Sequence, residues 1–267
     1  MADYREVQHG FDIYNIYNRY FLDPAKRKAF VDAFDACTPG AANDAFNAFN
    51  NWWQDLRLNT YIACPSEHED SEDVHGRLSM WRAFGGTGTR VGIVLRIPFA
   101  SMSGLHLALT FSPVAYLSES SAHGVIDEVV ANVRANRDYL RTLKREFLSN
   151  LVFQIFVAGI VCLKHEGFHE EREWRAIHTP KRWSSPLMES STEVVAGVPQ
   201  VVYKAPLDVS VSPLLADLDF VGVLDRLIVG PTPYLWPIYG AFVEALKAAG
   251  FPNAHERVFV SSIPIRA

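Results

Sequence analysis

The 17-residue run from Phe147 to Leu163, FLSNLVFQIFVAGIVCL, constrains the fold more than any other stretch of this chain. So apolar a segment has to leave water, and only a bilayer or a protein interior can receive it. A spanning helix needs roughly 20 predominantly apolar residues. This run is shorter and contains Ser149, Asn150 and Gln154, so it predicts a helix buried in a protein core and no membrane partner. Surrounding such a helix takes many other residues, and a chain of 267 supplies them without help from metals or disulfides.

Charge and cysteine content narrow the function classes. With 25 Lys+Arg against 30 Asp+Glu the formal charge is −5. A general nucleic-acid coating protein would be basic, because phosphate neutralisation drives non-specific binding. Cys37, Cys64 and Cys162 are too few and too scattered for a disulfide framework or a Cys-rich zinc site, and they suit a reducing cytoplasm. The opening residues Met1–Glu6 lack a basic stretch followed by an apolar one, so no secretory signal is expected.

Periodicity gives the organisation. Phe11, Tyr14, Tyr17 and Phe21 recur at helical spacing, and Asp23-Pro24 offers an N-cap with proline at the first helical position. A third helix is expected to hold Phe46, Phe49 and Trp53. Strands are expected at Thr60–Cys64, Val91–Ile97, Pro113–Leu117, Gln200–Tyr203, Leu224–Val229 and Arg257–Ser261, with a helix near Tyr234–Ala248. Ile126, Val130, Val133, Leu140, Leu143 and Phe147 predict one long helix running into the apolar segment. The expected architecture is one α+β domain over 1–267, with a helical N-terminal layer (1–57) followed by a mixed sheet with helices (58–267).

Several constellations bear on chemistry. Gly85-Gly86-Thr87-Gly88 lies between a helix and a strand, the reverse of a phosphate loop's order, and reads as a helix C-cap and turn. His165-Glu166-Gly167-Phe168-His169 spells the H-E-x-x-H of zinc peptidases, with Glu189 or Glu193 as possible third ligands. Gly167 weakens the helix this motif requires, and coincidence is the alternative. The acidic loop Glu67–Asp73, with His68 and His75 nearby, is either solvated or a hard-cation loop. Arg134, Arg137, Arg141, Lys144 and Arg145 would form a basic stripe on the long helix, either plainly solvated or a contact for a macromolecular acceptor, protein or nucleic acid. In GFHEEREWR, strand alternation would put Glu171, Glu173 and Arg175 on one face and Trp174 and Ala176 towards the core.

Five segments carry a resemblance: YIACPSE (Tyr61–Glu67), LSMWRAFG (Leu78–Gly85), GFHEEREWR (Gly167–Arg175), LIVGP (Leu227–Pro231) and SSIPIR (Ser261–Arg266). Together they are similar to the bacterial domain-of-unknown-function family 2971, which in turn resembles the NAD-dependent ADP-ribosyltransferases. The resemblance implies a split β-sheet core and NAD as co-substrate, with no metal. It implies Glu173 as the catalytic carboxylate and Glu171 as the acceptor-side member of an E-x-E pair. Ser66, Trp81, Arg82 and Arg175 would contact NAD. Such proteins open with a strand bearing a His; here Met1–Glu6 starts at a later motif, and His9 is the candidate for that role. A zinc hydrolase using His165, Glu166 and His169, and a non-catalytic interaction module, are the competing expectations.

Overall fold

The computed structural model describes residues 19–84, 88–98, 101–195 and 197–264. The expected positions of Phe11, Tyr14, Tyr17, His9, Gly85–Thr87 and Arg266 lie outside them. The chain forms two compact units, each drawn from two segments: Met1–Pro65 with Thr110–Ser184, and Ser66–Leu109 with Ser185–Ala267.

In the first unit the apolar run becomes the helix Arg145–Val161, with Leu148, Val152, Phe153, Phe156, Ile160 and Val161 buried. It packs against the helix Ala41–Asn59, whose Ala41, Ala42 and Ala45 are buried at the contact side and allow a close approach. Phe49 meets the rings of Phe153 and Phe156 at centroid distances of 6.2 and 5.7 Å. The long helix is not enclosed on every side, since Phe147 is 53% exposed. No helix of the described residues is long and apolar enough to cross a membrane. The helix Pro24–Asp35 starts as its sequence predicts: the Asp23 carboxylate accepts from the N–H groups of Ala25 and Lys26, with proline in the first turn.

The long basic helix is corrected. The chain instead makes Glu119–Ala135, Arg137–Leu140 and Arg145–Val161 as separate helices. At the first break the Asn136 amide group donates to the Asn132 carbonyl at 2.8 Å, and at the second the Thr142 hydroxyl donates to the Tyr139 carbonyl at 2.7 Å. Such local bonds compete with helix propagation. Arg134, Arg137, Arg141, Lys144 and Arg145 therefore fall on different segments and form no single stripe.

The sheet of this unit is antiparallel, with Trp174–His178 between Tyr61–Ala63 and Thr110–Pro113. A short parallel pair, Ala115–Tyr116 with Leu163–Lys164, lies just beyond the helix Arg145–Val161. In the second unit Leu224–Val229 is the central strand, parallel to Val258–Val260 and antiparallel to Val91–Leu95. Val243 and Leu246 of the helix Leu235–Ala248 pack on it. A separate hairpin pairs Glu189–Val195 with Val198–Lys204, turning at Gly197 in a left-handed conformation (φ +81°). The protein is α+β, with its strands divided among several small sheets.

Candidate functional site

The chemistry-bearing residues of the first unit gather where the central strand begins. Arg175 is 1% exposed and Glu173 5%. The expected faces are thus exchanged: Arg175 and Ile177 are buried, while Trp174 and Ala176 are half-buried. Arg175 can turn inward because its charge is met there. Its Nε donates to Glu173 Oε1 at 2.7 Å, and its guanidinium also donates to the Val161 carbonyl. That carbonyl belongs to the last turn of the helix Arg145–Val161, where carbonyls lack helical partners and carry partial negative charge.

Lys164 completes the cluster. Its Nζ stands 2.5 Å from Glu171 Oε2 and 2.9 Å from Glu173 Oε2, and 5.1 Å from the centre of the Phe168 ring. Glu171 reaches it by an unexpected route. Residues Glu166–Glu171 form a 3-10 turn, and Arg172 adopts a left-handed conformation (φ +44°) before the strand starts. The E-x-E pair is therefore joined by a kink and a shared ammonium, not by strand alternation. The Glu173 N–H donates to the Tyr116 hydroxyl oxygen at 2.7 Å, tying the pair to the neighbouring short strand.

Two cations balance two carboxylates here. Burial pushes the Glu173 carboxyl up, but hydrogen bonds from Arg175 and Lys164 outweigh it and hold the group below the usual carboxylate range. Tyr116 is pushed up, by burial and by the nearby Glu173 and Glu171 charges. The buried Cys162 thiol is pushed up by desolvation.

Ser66 and Trp81, expected to hold NAD, line a cavity of about 350 Å³ in the second unit. Ser66 Oγ accepts from Arg77 at 3.0 Å, and Arg77 also binds Glu72 (2.8 Å) and the Glu67 carbonyl (2.8 Å). Trp81 is a fixed wall: it is 8% exposed and its indole N–H donates to the His75 carbonyl at 2.8 Å. Two glycines make room for it. A Cβ on Gly76 (φ +68°) would stand 2.7 Å from the indole, and one on Gly230 would stand 2.7 Å from Arg90 Cβ and 3.0 Å from the indole. Arg82 is exposed, on the helix Leu78–Phe84.

The HEGFH motif lacks the helix its zinc reading needs. His165 and His169 are exposed at a 3-10 turn, whose three residues per turn put positions four apart on different sides. His165 Nδ1 accepts from the Gly167 N–H, and Glu193 is bound by Lys204 at 2.6 Å. No cluster of three or more metal-binding side chains exists among the described residues. The acidic loop spends carboxylates on arginines, Glu72 on Arg77 and Asp73 on Arg226, instead of presenting them to a cation. Arg141 donates to the Ala36 carbonyl at 3.1 Å, and Arg145 is bound to Asp44 by two contacts of 2.7 and 2.9 Å. Arg134, Arg137 and Lys144 are exposed.

Lys164 and Tyr116 were not anticipated from sequence. The signal for Lys164 was its position directly after a long apolar run, where a charge has to find an internal partner or turn outward. Residues 80–176, which include Lys164, Glu171, Glu173 and Arg175, match the family model described as protein of unknown function (DUF2971). No curated protein and no solved structure matches the chain.

Proposed function

We propose that this chain is an ADP-ribosyltransferase-like enzyme that cleaves the nicotinamide–ribose bond of NAD, with Lys164, Glu171 and Glu173 at its reacting centre. The supporting observation is the pair of carboxylates on one buried ammonium, at 2.5 and 2.9 Å from Lys164 Nζ. One shared ammonium brings the two carboxylates together, and a pair of carboxyl groups is what cleaves the glycosidic bond in most glycoside hydrolases. When the bond breaks, its electrons leave with nicotinamide and the ribose carbon becomes cationic. An anion held in place beforehand stabilises that charge without reorganising.

Burial divides the roles differently from the resemblance. Both oxygens of Glu173 are engaged, one by Arg175 and one by Lys164, and its side chain is 4% exposed. It is the anchor of the centre. Glu171, with a side chain 22% exposed, is the carboxylate that meets the ribose hydroxyl and the acceptor. The acceptor in this reading is a macromolecule, and the exposed Arg134, Arg137 and Lys144 are the basic residues open to it.

The test is nicotinamide release from NAD by the purified chain, its Glu171→Gln variant and its Lys164→Met variant. Release should fall roughly 100-fold in Glu171→Gln, the scale of losing one transition-state stabiliser, with the unfolding midpoint unchanged. Full turnover by Glu171→Gln, or no calorimetric binding of NAD by the native chain, overturns the reading.

A further inference from the structure

A second constellation lies wholly within the second unit and takes no part in the chemistry above. The 350 Å³ cavity has two kinds of wall. Met80, Trp81 and Phe84, spaced along one short helix, give it an apolar side. His68, Glu72 and Arg77 give it a polar one. An apolar cavity of roughly 150 Å³ holds benzene, so this one has room for a substituted or fused ring.

His68 is held in a way that fixes its chemistry. Its Nε2 lies 2.5 Å from Asp73 Oδ1, and the other Asp73 oxygen accepts from Arg226. Arg226 also donates to Asp225, which binds Arg96 at 2.7 Å. Asp225 and Arg226 sit on the central strand Leu224–Val229, so a chain of alternating charge ties the His68 loop to the sheet. An ionised carboxylate only accepts, so in the neutral imidazole Nε2 carries the proton and Nδ1 the lone pair. Glu72 Oε2 is 3.6 Å from Nδ1, but it is itself an acceptor, already engaged by Arg77 at 3.2 Å. It cannot donate to Nδ1. This is the geometry of an imidazole base oriented by a carboxylate.

We propose that this cavity binds a small planar aromatic alcohol, its ring against Met80, Trp81 and Phe84 and its O–H donated to His68 Nδ1. Asp73 is a positioning residue that sets the tautomer. An aromatic ring suits an apolar wall that ends in an indole, and a hydroxyl is the donor that the polar wall otherwise lacks at Nδ1. The proposal is independent of NAD chemistry, because such a ligand has neither ribose nor phosphate.

Two probes of matched shape test it: 4-nitrophenol, which has the donor, and 4-nitroanisole, which has a methyl in its place. Titration followed by absorbance and calorimetry should show 4-nitrophenol binding at least tenfold more tightly, with its band moved towards the phenolate position. His68→Phe keeps a ring but removes the acceptor, and should erase the preference between the probes. Asp73→Asn offers an N–H to Nε2, moves the proton to Nδ1, and should lower 4-nitrophenol affinity by a similar factor while 4-nitroanisole binding stays unchanged. Equal affinity for the two probes, no binding of either, or undiminished 4-nitrophenol binding by a folded His68→Phe variant overturns the proposal.

Discussion

Replacing Glu173 by glutamine removes one anion from a buried set of four charges while keeping the side-chain volume. Lys164 retains Glu171 at 2.5 Å, so the change falls mainly on Arg175, which is 1% exposed and loses the carboxylate that faced its Nε at 2.7 Å. Breaking a buried ion pair from one side costs about 3–5 kcal/mol, because a charge stays desolvated without compensation. In a protein of this size each kcal/mol moves the thermal midpoint by roughly 2–4 °C, so the midpoint should fall by on the order of 10 °C. The double variant Glu173→Leu with Arg175→Met removes both charges and refills the space with hydrocarbon. It should lose less than either single change. Urea unfolding followed by circular dichroism measures the native chain, Glu173→Gln, the single variants Glu173→Leu and Arg175→Met, and the double variant. Single variants within 1 kcal/mol of the native chain, or a double loss equal to the sum of the single losses, would refute the reasoning.

The same group fixes the sign of a pH effect. The folded-state pKa of Glu173 is depressed: burial raises it, and Arg175 and Lys164 lower it by more. Its contribution is therefore complete above the unfolded value, about 4.3 for a glutamate, and is lost as pH falls through the folded value. The stability gap between the native chain and Glu173→Gln should be full at pH 7 and should shrink below about pH 4. A gap that is unchanged in acid would mean that the carboxylate is not the stabilising partner.

Two further substitutions probe other parts of the fold. Gly76→Ala puts a Cβ 2.7 Å from the Trp81 indole at a φ of +68°; the backbone conformation alone costs roughly 1–2 kcal/mol, and a changed tryptophan fluorescence together with a lowered midpoint is expected. His165→Ala and His169→Ala should each change stability by no more than about 0.5 kcal/mol, the range for surface positions, and elemental analysis should find no stoichiometric zinc lost with either.

What could be read from the sequence was what depends on local pattern. Leu224–Val229 has the bounds expected of it, and Asp23-Pro24 starts a helix by capping chemistry contained in two adjacent residues. The breaks after Ala135 and Leu140 were hidden because Val133, Leu140, Leu143 and Phe147 keep helical spacing across them. What ends the helices is hydrogen bonding by Asn136 and Thr142, which periodicity does not register. The strand faces at Trp174–His178 were inverted for a related reason. Alternation assumes that charged residues face water, and Arg175 is buried because Glu173 and the Val161 carbonyl at the end of the helix Arg145–Val161 meet its charge. The acidic loop was ambiguous in sequence since the arginine that pairs with Asp73 is Arg226, 153 residues away.

The two clusters share a construction that bears on how each would work. In both, an ionic chain is rooted on a central strand: Arg175 on Trp174–His178, and Asp225 with Arg226 on Leu224–Val229. Each of these strands is hydrogen-bonded along both edges, which makes them the positions least given to local opening. From these roots the chains run outward to side chains carried by less regular segments, Glu171 on a 3-10 turn and His68 on the loop before another. Buried ion pairs add little net stability over hydrocarbon of the same volume, so stability alone does not account for two such chains. Orientation does. A side chain on a loop keeps one direction when its partner is fixed to a rigid strand, and a reacting or recognising group depends on that constancy.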